Sequence, residues 1–572
     1  MIATMAGALP QNDLVVEQLE LLADLLELEG QEAFRVLAYR RAAQRVRESG
    51  GSIAQLALDG KAKELQGIGK TIEEKIVQIV EQGEIEALAK RRKTIPPDVV
   101  QFMRLPGLGP KTARRIWQEL GISTLAELES AAEQQRLRTL TGLGPKVEQN
   151  VLAALAEQAK PKAAVRPLLG KGLPAVLAVV QALRDHPASE QVSEAGSVRR
   201  RRETFRDLDI IATASDAQAL IDAFTAFDWV AQVKAKGGTK ATVVSHDGLR
   251  FDLRVVPPDC YGNLLQHFTG SKVHNVAMRE EAQRRGLSIS EYGVTEVESG
   301  EVHTFPTEEK LYAWLGYQFI PPELRENTGE LEAARRGDLP VLVEERDLRG
   351  DLHSHTTWSA DGKSTMAEMA AKAKARGYSY LAVTDHSHYL RDGKLERQGE
   401  ELAALNAQLK PFRLLHGIEV NIRANGTLDV DDEVLARLDW VVASIHAAFA
   451  TNPTERVLAA MENPHVDVIG HLTGRKINKR GPMAIDVDRV FAAAVETRTA
   501  LEINSQPDRL DLRDADARLA AQHGVRIVVS TDAHSVGALD YVTLGIGQAR
   551  RAWLTKGHVL NTRPWSKVKA NR

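Results

Sequence analysis

Two aspartates one residue apart, Asp207-Leu208-Asp209, and a third in Arg250-Phe251-Asp252-Leu253-Arg254 have the spacing to hold divalent cations. An Asp-x-Asp pair on a strand sends both carboxylates to one face, and an aspartate from a neighbouring strand completes an oxygen cage for two cations. One cation would activate a 3′-hydroxyl and the other would hold a triphosphate. The upstream Gly196-Ser197-Val198-Arg199-Arg200 carries what a triphosphate needs. Its small residues let backbone N–H groups and a hydroxyl approach, and its guanidinium groups neutralise phosphate charge. Nucleotidyl transfer is the chemistry this combination supports.

A denser constellation follows: Asp351-Leu352-His353-Ser354-His355, Asp361, Thr384-Asp385-His386, Glu419, His446, His471 and Thr531-Asp532-Ala533-His534. His-x-His on a strand directs both imidazoles to one side. Most of the others close short apolar runs, such as Tyr380–Thr384, Val441–Ser444, Val466–Ile469 and Ile527–Ser530, with helical patterns between them. Strand, polar ligand and helix in repetition is the pattern of an α/β barrel whose site lies at the strand C-termini. Mixed imidazole and carboxylate ligands suit zinc, manganese or iron. The single cysteine, Cys260, excludes both an intramolecular disulfide framework and a thiolate metal site. His388, His416, His465 and His523 stand outside the ordered set and read as core or surface histidines.

The elements that must position these residues fall into several domains, as a chain of 572 residues requires. The formal net charge is −3, so any grip on nucleic acid must come from local basic patches such as Lys90–Lys93 and Arg199–Arg202. No long apolar run or leading signal pattern is present, which points to a cytoplasmic protein without membrane partners. The first third is helical in pattern over Leu14–Leu28, Phe34–Val46 and Ile72–Val80. Within it a short unit recurs three times: Leu65-Gln66-Gly67-Ile68-Gly69-Lys70, Leu105-Pro106-Gly107-Leu108-Gly109-Pro110-Lys111 and Leu140-Thr141-Gly142-Leu143-Gly144-Pro145-Lys146. These read as helix-hairpin-helix motifs, whose glycines and following helix N-termini grip phosphates without reading bases. From Arg166 the pattern becomes mixed, with a helix at Leu173–Leu183 and strands around Ile210–Ala212, Ala241–Ser245 and Phe251–Val256. Glu326–Glu345 is polar and charged and reads as a linker.

Gly196–Asp209, Asp252, Phe268-Thr269-Gly270-Ser271 and Asn275 through Arg279 together resemble the palm and thumb of family X DNA polymerases, the group that contains DNA polymerase beta. Ala38-Tyr39-Arg40-Arg41-Ala42-Ala43 and the first hairpin resemble that family's amino-terminal domain, which grips the 5′ end of a gap. Residues 350–572 resemble a polymerase and histidinol phosphatase (PHP) domain, and the joined arrangement is that of bacterial family X polymerases. The resemblance implies a multidomain chain with an all-α helix-hairpin-helix region, an α+β nucleotidyltransferase palm with a thumb, and a C-terminal α/β PHP domain built as a distorted β/α barrel. Its divisions would be 1–90 for the amino-terminal helical domain, 91–165 for a second helical DNA-binding domain and 166–257 for the palm. The thumb would span 258–325, the linker 326–349 and the PHP domain 350–572.

By the same resemblance Asp207, Asp209 and Asp252 hold two Mg2+ or Mn2+ ions, and Gly196, Ser197, Arg200 and Arg166 hold the incoming triphosphate. His267, Phe268, Gly270 and Asn275 face the nucleotide, and Arg279 touches the template. DNA contacts fall to Tyr39 and to the hairpin glycines Gly67, Gly69, Gly107, Gly109, Gly142 and Gly144. Lys75 matches the lysine that forms a Schiff base with a 5′-deoxyribose phosphate. In the PHP domain up to three Zn2+, Mn2+ or Fe ions are implied. His353, His355, Glu419 and Asp532 would hold one, Glu419, His446 and His471 a second, and Asp361, His386 and His534 a third. Two positions depart from the better known relative, His267 replacing a tyrosine and Arg206 a glycine, and Thr71 replaces a lysine that some family members use for phosphate. The implied function is a monomeric, nucleoid-associated repair polymerase that fills gaps in primed DNA with dNTPs and trims 3′ ends. The rivals are a nuclease-dominated enzyme with marginal synthesis, and a non-catalytic scaffold or small-molecule phosphatase that uses only the last domain.

Overall fold

The computed structural model describes residues 12–47, 52–65, 67–103, 105, 107–159 and 165–570. The chain divides into two compact units, Met1–Val165 with Asp216–Arg254, and Arg166–Ser215 with Val255–Arg572.

In the first unit, helix Asn12–Leu28 turns Val15, Leu19, Leu22 and Leu26 into a core, at the three-to-four spacing that gathers apolar residues on one helical face. Helix Ala33–Arg47 adds Val36, Ala43 and Val46 to it. The three repeated hairpins share one geometry. Gly67, Gly107 and Gly142 have φ of +93°, +86° and +90°, a region that costs any other residue side-chain clash. The residue between the glycines, Ile68, Leu108 or Leu143, is buried in the core, and its N–H donates to Leu65, Leu105 or Leu140 at 3.0 to 3.1 Å. Helices Lys70–Gln82, Pro110–Leu120 and Pro145–Ala159 then start directly after the second glycine. Gln66 and Pro106 of these motifs lie outside the described residues. The remainder of this unit has helix Ala217–Thr225 and the antiparallel strands Val230–Lys236, Lys240–Ser245 and Arg250–Val255. Phe224, Phe227, Trp229 and Phe251 form its aromatic cluster.

The second unit opens with helix Leu169–Arg184 and the antiparallel strands Ser189–Glu194 and Leu208–Ala214. Helices Tyr261–Thr269 and Lys272–Arg284 follow, then a small antiparallel sheet of Leu287–Ser290, Gly293–Glu296 and Val302–His303. Residues 326–349, read from their polarity as a linker, are ordered and packed. They contain helix Glu330–Arg336, and Leu331, Ala333, Ala334, Leu339 and Leu342 join the core of the preceding segment. Val343 and Leu348 join the core of the following one. Most of the polar residues of this segment are on its outer side, Glu330 being buried against His274, while Leu331, Leu339, Leu342, Val343 and Leu348 reach inward at a spacing that average polarity conceals.

The rest is a parallel sheet of seven strands in chain order: Gly350–Asp351, Tyr380–Val383, Arg413–Asn421, Trp440–Ser444, Val468–Ile469, Ala500–Asn504 and Ile527–Ser530. The strands are buried on both faces, as a parallel sheet covered by its crossover helices must be. A parallel bridge between Ser354 and Ala533 brings the ends of the first and last strands together, so the sheet curls into the expected distorted barrel. Among the described residues no helix is long and apolar enough to cross a membrane.

Candidate active sites

The side chains expected to ligate metal converge at the C-terminal mouth of the barrel, where groups such as His353, His355 and Asp532 lie close enough to share an ion. Glu419, 1% exposed near the end of strand Arg413–Asn421, stands at the centre. Its Oε1 lies 3.2 Å from His471 Nε2, 3.3 Å from His446 Nε2 and 3.6 Å from His353 Nε2. Its Oε2 lies 2.7 Å from His386 Nδ1 and 3.7 Å from His355 Nε2. Asp532 Oδ1 is 3.2 Å from His355 Nε2 and 3.7 Å from His353 Nε2. Asp361 Oδ2, at the exposed rim, is 3.4 Å from both His386 Nε2 and His534 Nε2. Every PHP-domain ligand expected from the sequence is therefore in one cluster.

This cluster fits cations rather than protons. Both Glu419 oxygens, His353 Nε2, both His355 ring nitrogens and His386 Nδ1 are buried without a hydrogen bond of proper geometry. Atoms bound to one tetrahedral cation at about 2.1 Å lie about 3.4 Å from one another, close to the spacings seen here. His471 and Asp532 also take left-handed backbone conformations, with φ of +31° and +52°, a strain typical of residues held for function. Burial, with the positive Arg509 nearby, brings His471 down to about 4, and burial brings His355 down to about 3. Both are neutral ligands at pH 7. Burial opposes charge on His386, yet Glu419 and Asp361 overcome it and raise that imidazole to about 9.

Supporting residues escaped the sequence reading. Glu502 Oε1 lies 2.7 Å from His353 Nδ1, which fixes the ring so that Nε2 faces the cluster. Glu502 Oε2 accepts from the His471 N–H at 2.7 Å, and Asn504 Nδ2 donates to Asp532 Oδ2 at 3.0 Å. Asn421 Oδ1 does for His446 Nδ1 what Glu502 does for His353, at 2.8 Å. The acid and amide alternating in the apolar run Ala500-Leu501-Glu502-Ile503-Asn504 were the available signal. Asp385, unlike these, belongs to the constellation read from the sequence; it accepts from the Thr356 N–H and hydroxyl and from Gln398 Nε2, each at 2.7 Å, and so braces the loop behind His386.

In the same unit, Asp207 and Asp209 lie half-buried around the start of strand Leu208–Ala214. Gly196 has φ of +64°, and a Cβ there would sit 2.3 Å from Asp209 Oδ2. Only glycine lets the turn bearing Ser197 press against that carboxylate. The Ala195 N–H donates to the Asp209 carbonyl at 2.8 Å and fixes this approach. Arg199 donates to Thr269 Oγ1 and Glu308, both at 2.7 Å, whereas Arg200 donates to Glu326 Oε1 at 3.0 Å and to the Thr269 carbonyl. Arg206 is exposed, so solvent screens its charge, and Arg166 is exposed as well.

Helices Tyr261–Thr269 and Lys272–Arg284 bring the remaining expected residues together. Asn275 Nδ2 donates to the His267 carbonyl at 2.9 Å, and Arg279, one turn on, reaches His267 Nδ1 at 3.1 Å. Phe268 packs edge-on against His267, and Gly270, at φ of +69°, turns beneath Arg200. In the first unit, Asp252 accepts from Thr242 Oγ1 and from Arg250 Nε, the latter at 2.9 Å. A Cβ on Gly69, Gly109 or Gly144 would meet nothing within 4 Å, which leaves room for a backbone to approach. Lys75 is half-buried on helix Lys70–Gln82. Tyr39, expected to face DNA, instead packs in the core because its ring completes the apolar face of helix Ala33–Arg47, and burial raises its hydroxyl pKa.

Comparison with known proteins agrees with this arrangement. A helix-hairpin-helix domain matches residues 10–85, and a SAM-like helix-hairpin-helix tandem matches 61–121 and 99–157. The DNA polymerase beta thumb matches 264–326, and the PHP domain matches 351–506. A probable phosphatase of Acetivibrio thermocellus is 33% identical over 34% of this chain and 83% of its own, and one of Thermoanaerobacter sp. (strain X514) is 30% identical over 37% and 89%. The DNA polymerase/3′-5′ exonuclease PolX of Bacillus subtilis (strain 168) is 39% identical over 97% of this chain and 98% of its own. With hairpins, polymerase thumb and metal-ligating barrel in one order along nearly the whole length of both proteins, the chain belongs to the PolX family of bacterial family X polymerases.

Proposed function

We propose that this enzyme fills short gaps in primed DNA at the palm and shortens or cleans 3′ ends at the barrel mouth. The observation that carries the reading is the presence on one chain of two built sites, the Gly196-backed carboxylates and the Glu419-centred cluster. In the palm, Asp207 and Asp209 hold two Mg2+ or Mn2+ ions, Asp252 supplies the third carboxylate, and Ser197, Arg200 and Arg166 bind the triphosphate. His267, Phe268 and Asn275 face the nucleotide's sugar and base edge, and Arg279 orients the template. The hairpin glycines let three helix N-termini approach the DNA backbone.

At the barrel, His353, His355, Asp532 and Glu419 form one ligand set, with His446 and His471 completing a second around Glu419 and Asp361, His386 and His534 a third. Up to three Zn2+, Mn2+ or Fe ions bound there would supply Lewis acidity and lower the pKa of an attacking water. Glu502, Asn421 and Asn504 orient the ligands, and the exposed rim at Asp361, His446 and His534 leaves access for a DNA 3′ terminus. We place the protein in the cytoplasm as a monomer acting on gapped or primed DNA with dNTPs.

The test follows a labelled primer on one-nucleotide-gapped DNA, with and without dNTPs. Asp207→Ala/Asp209→Ala is expected to lose extension and keep shortening, and His353→Ala/His355→Ala to do the reverse. Absence of extension by the unmodified protein would favour the nuclease-dominated rival. Lys75 adds a 5′-deoxyribose phosphate lyase. Borohydride should trap a covalent adduct with an incised abasic substrate, absent in Lys75→Ala; no adduct with the unmodified protein sinks that role.

A further inference from the structure

The residue read above as a triphosphate contact is held, in part, by the PHP domain. Arg551, 3% exposed at the end of helix Val542–Arg551, donates through Nη1 to the Arg200 carbonyl at 2.9 Å and to Glu326 Oε1 at 3.0 Å. That same Glu326 oxygen accepts from Arg200 Nε at 3.0 Å. On its far side Arg551 donates from Nε and Nη2 to Asp514 Oδ2, at 2.9 and 2.6 Å. The helix is pressed close here, because a Cβ on Gly547 would meet the Arg201 side chain at 3.0 Å, and Gln548 Nε2 reaches the Arg201 carbonyl at 3.4 Å.

These contacts make a chain of alternating charge: Arg200, Glu326, Arg551, Asp514. Two of the Arg200 nitrogens are engaged, Nε by Glu326 and Nη1 by the Thr269 carbonyl, so the guanidinium plane is fixed and Nη2 remains to be offered. A carboxylate beside a phosphate-binding arginine would ordinarily cancel its attraction for a polyanion. Arg551 offsets Glu326, and Arg202, whose charge acts on both Glu326 and Asp514, makes three cations against two carboxylates, so the carboxylate orients Arg200 without leaving net negative charge beside the triphosphate. The pairs are largely buried, with Arg200 13% and Glu326 19% exposed, so solvent screens them incompletely.

We propose that Arg551, a residue of the PHP domain, is a positioning residue for nucleotide binding at the palm. It balances Glu326 and ties down the backbone turn that carries Arg200. The inference rests on the reading of Arg200 as a triphosphate contact. The partner is thus the incoming dNTP, and the prediction concerns its apparent KM rather than the chemical step.

The test uses the full-length protein on one-nucleotide-gapped DNA, with dNTP KM and kcat measured separately. Arg551→Ala should raise the dNTP KM about fivefold or more and leave kcat within about twofold. Adding Glu326→Gln to Arg551→Ala removes the unbalanced charge and should return KM towards its original value. A purely structural role for Arg551 predicts no such rescue. Glu326→Gln alone should lower KM, a measurement that stands even if Arg551→Ala fails to fold. Unchanged shortening of 3′ ends verifies that each variant is folded. An unchanged KM in folded Arg551→Ala, no rescue in the double variant, or an unchanged or raised KM in Glu326→Gln overturns the proposal. Arg200→Ala separates the two levels: if it leaves KM unchanged, the reading of Arg200 fails and the proposal with it. If it raises KM while Arg551→Ala does not, only the proposal falls.

Discussion

At the barrel mouth several ligands are directed by a partner one step further from the centre, His353 by Glu502, His446 by Asn421 and Asp532 by Asn504, and Glu502 is the most connected of these. Its two oxygens address His353 Nδ1 and the His471 N–H, both at 2.7 Å. Glu502→Gln is expected to lower metal affinity about 10- to 100-fold, as loss of such a partner does elsewhere. Metal content after dialysis should fall, shortening activity should recover with excess metal, and primer extension should stay intact. Equal loss of both activities would contradict this. The ligands themselves were legible because His-x-His and Asp-x-His are rare patterns with one good physical use. Glu502, Asn504 and Asn421 were not, since a single polar residue in an apolar strand signals a buried role without saying which neighbour it serves. Tyr39 shows the opposite failure, a residue assigned to a surface by likeness that local helical period sends inward.

Among the elements, the repeated hairpins were the most legible, because a positive-φ glycine, a buried apolar residue and a free glycine must recur in register for the turn to form at all. Gly107→Ala with Gly142→Ala should cost about 1 kcal/mol at each position through the left-handed backbone. The same pair should weaken binding to gapped DNA and flatten its salt dependence, measured as the slope of log affinity against log salt. An unchanged slope would argue that these turns do not face phosphates. The barrel strands could be read as apolar runs ending in ligands, and they lie where those runs placed them. The segment 326–349 could not, because its inward residues are spaced among charges and only the two flanking cores reveal what Leu331, Leu339, Leu342, Val343 and Leu348 do.

For the molecule as a whole, acid is the informative perturbation. Glu308 is buried between Arg199 and Arg325. Burial alone would raise its pKa, but Arg325 and Arg199 outweigh it and bring the carboxyl down from an ordinary 4.5 to about 2. A depressed carboxylate stabilises the fold above its unfolded value, so this contribution is complete above about pH 4.5 and is lost as pH falls through about 2. It amounts to on the order of 3 kcal/mol. Acid titration of unfolding should show that loss in this window, and Glu308→Gln should abolish it while lowering stability near neutrality by stranding the buried Arg325. A variant with the same acid dependence as the original would rule out this pair as its source.

The packed segment between polymerase and barrel bears on how the enzyme can be taken apart. Leu342 bridges to Thr555, Val343 donates its N–H to the Leu554 carbonyl at 2.9 Å, and Arg550 holds Glu323. Ending the chain before residue 350 would strip Trp553 from the core around Leu339 and Leu342 and remove Arg550 and Arg551 with it. A truncated polymerase half that is inactive or insoluble would therefore report a broken seam, not a catalytic debt to the nuclease. Limited proteolysis of the intact enzyme should accordingly spare this stretch, and single substitutions, rather than excised halves, are the instrument that can assign each activity to its own residues.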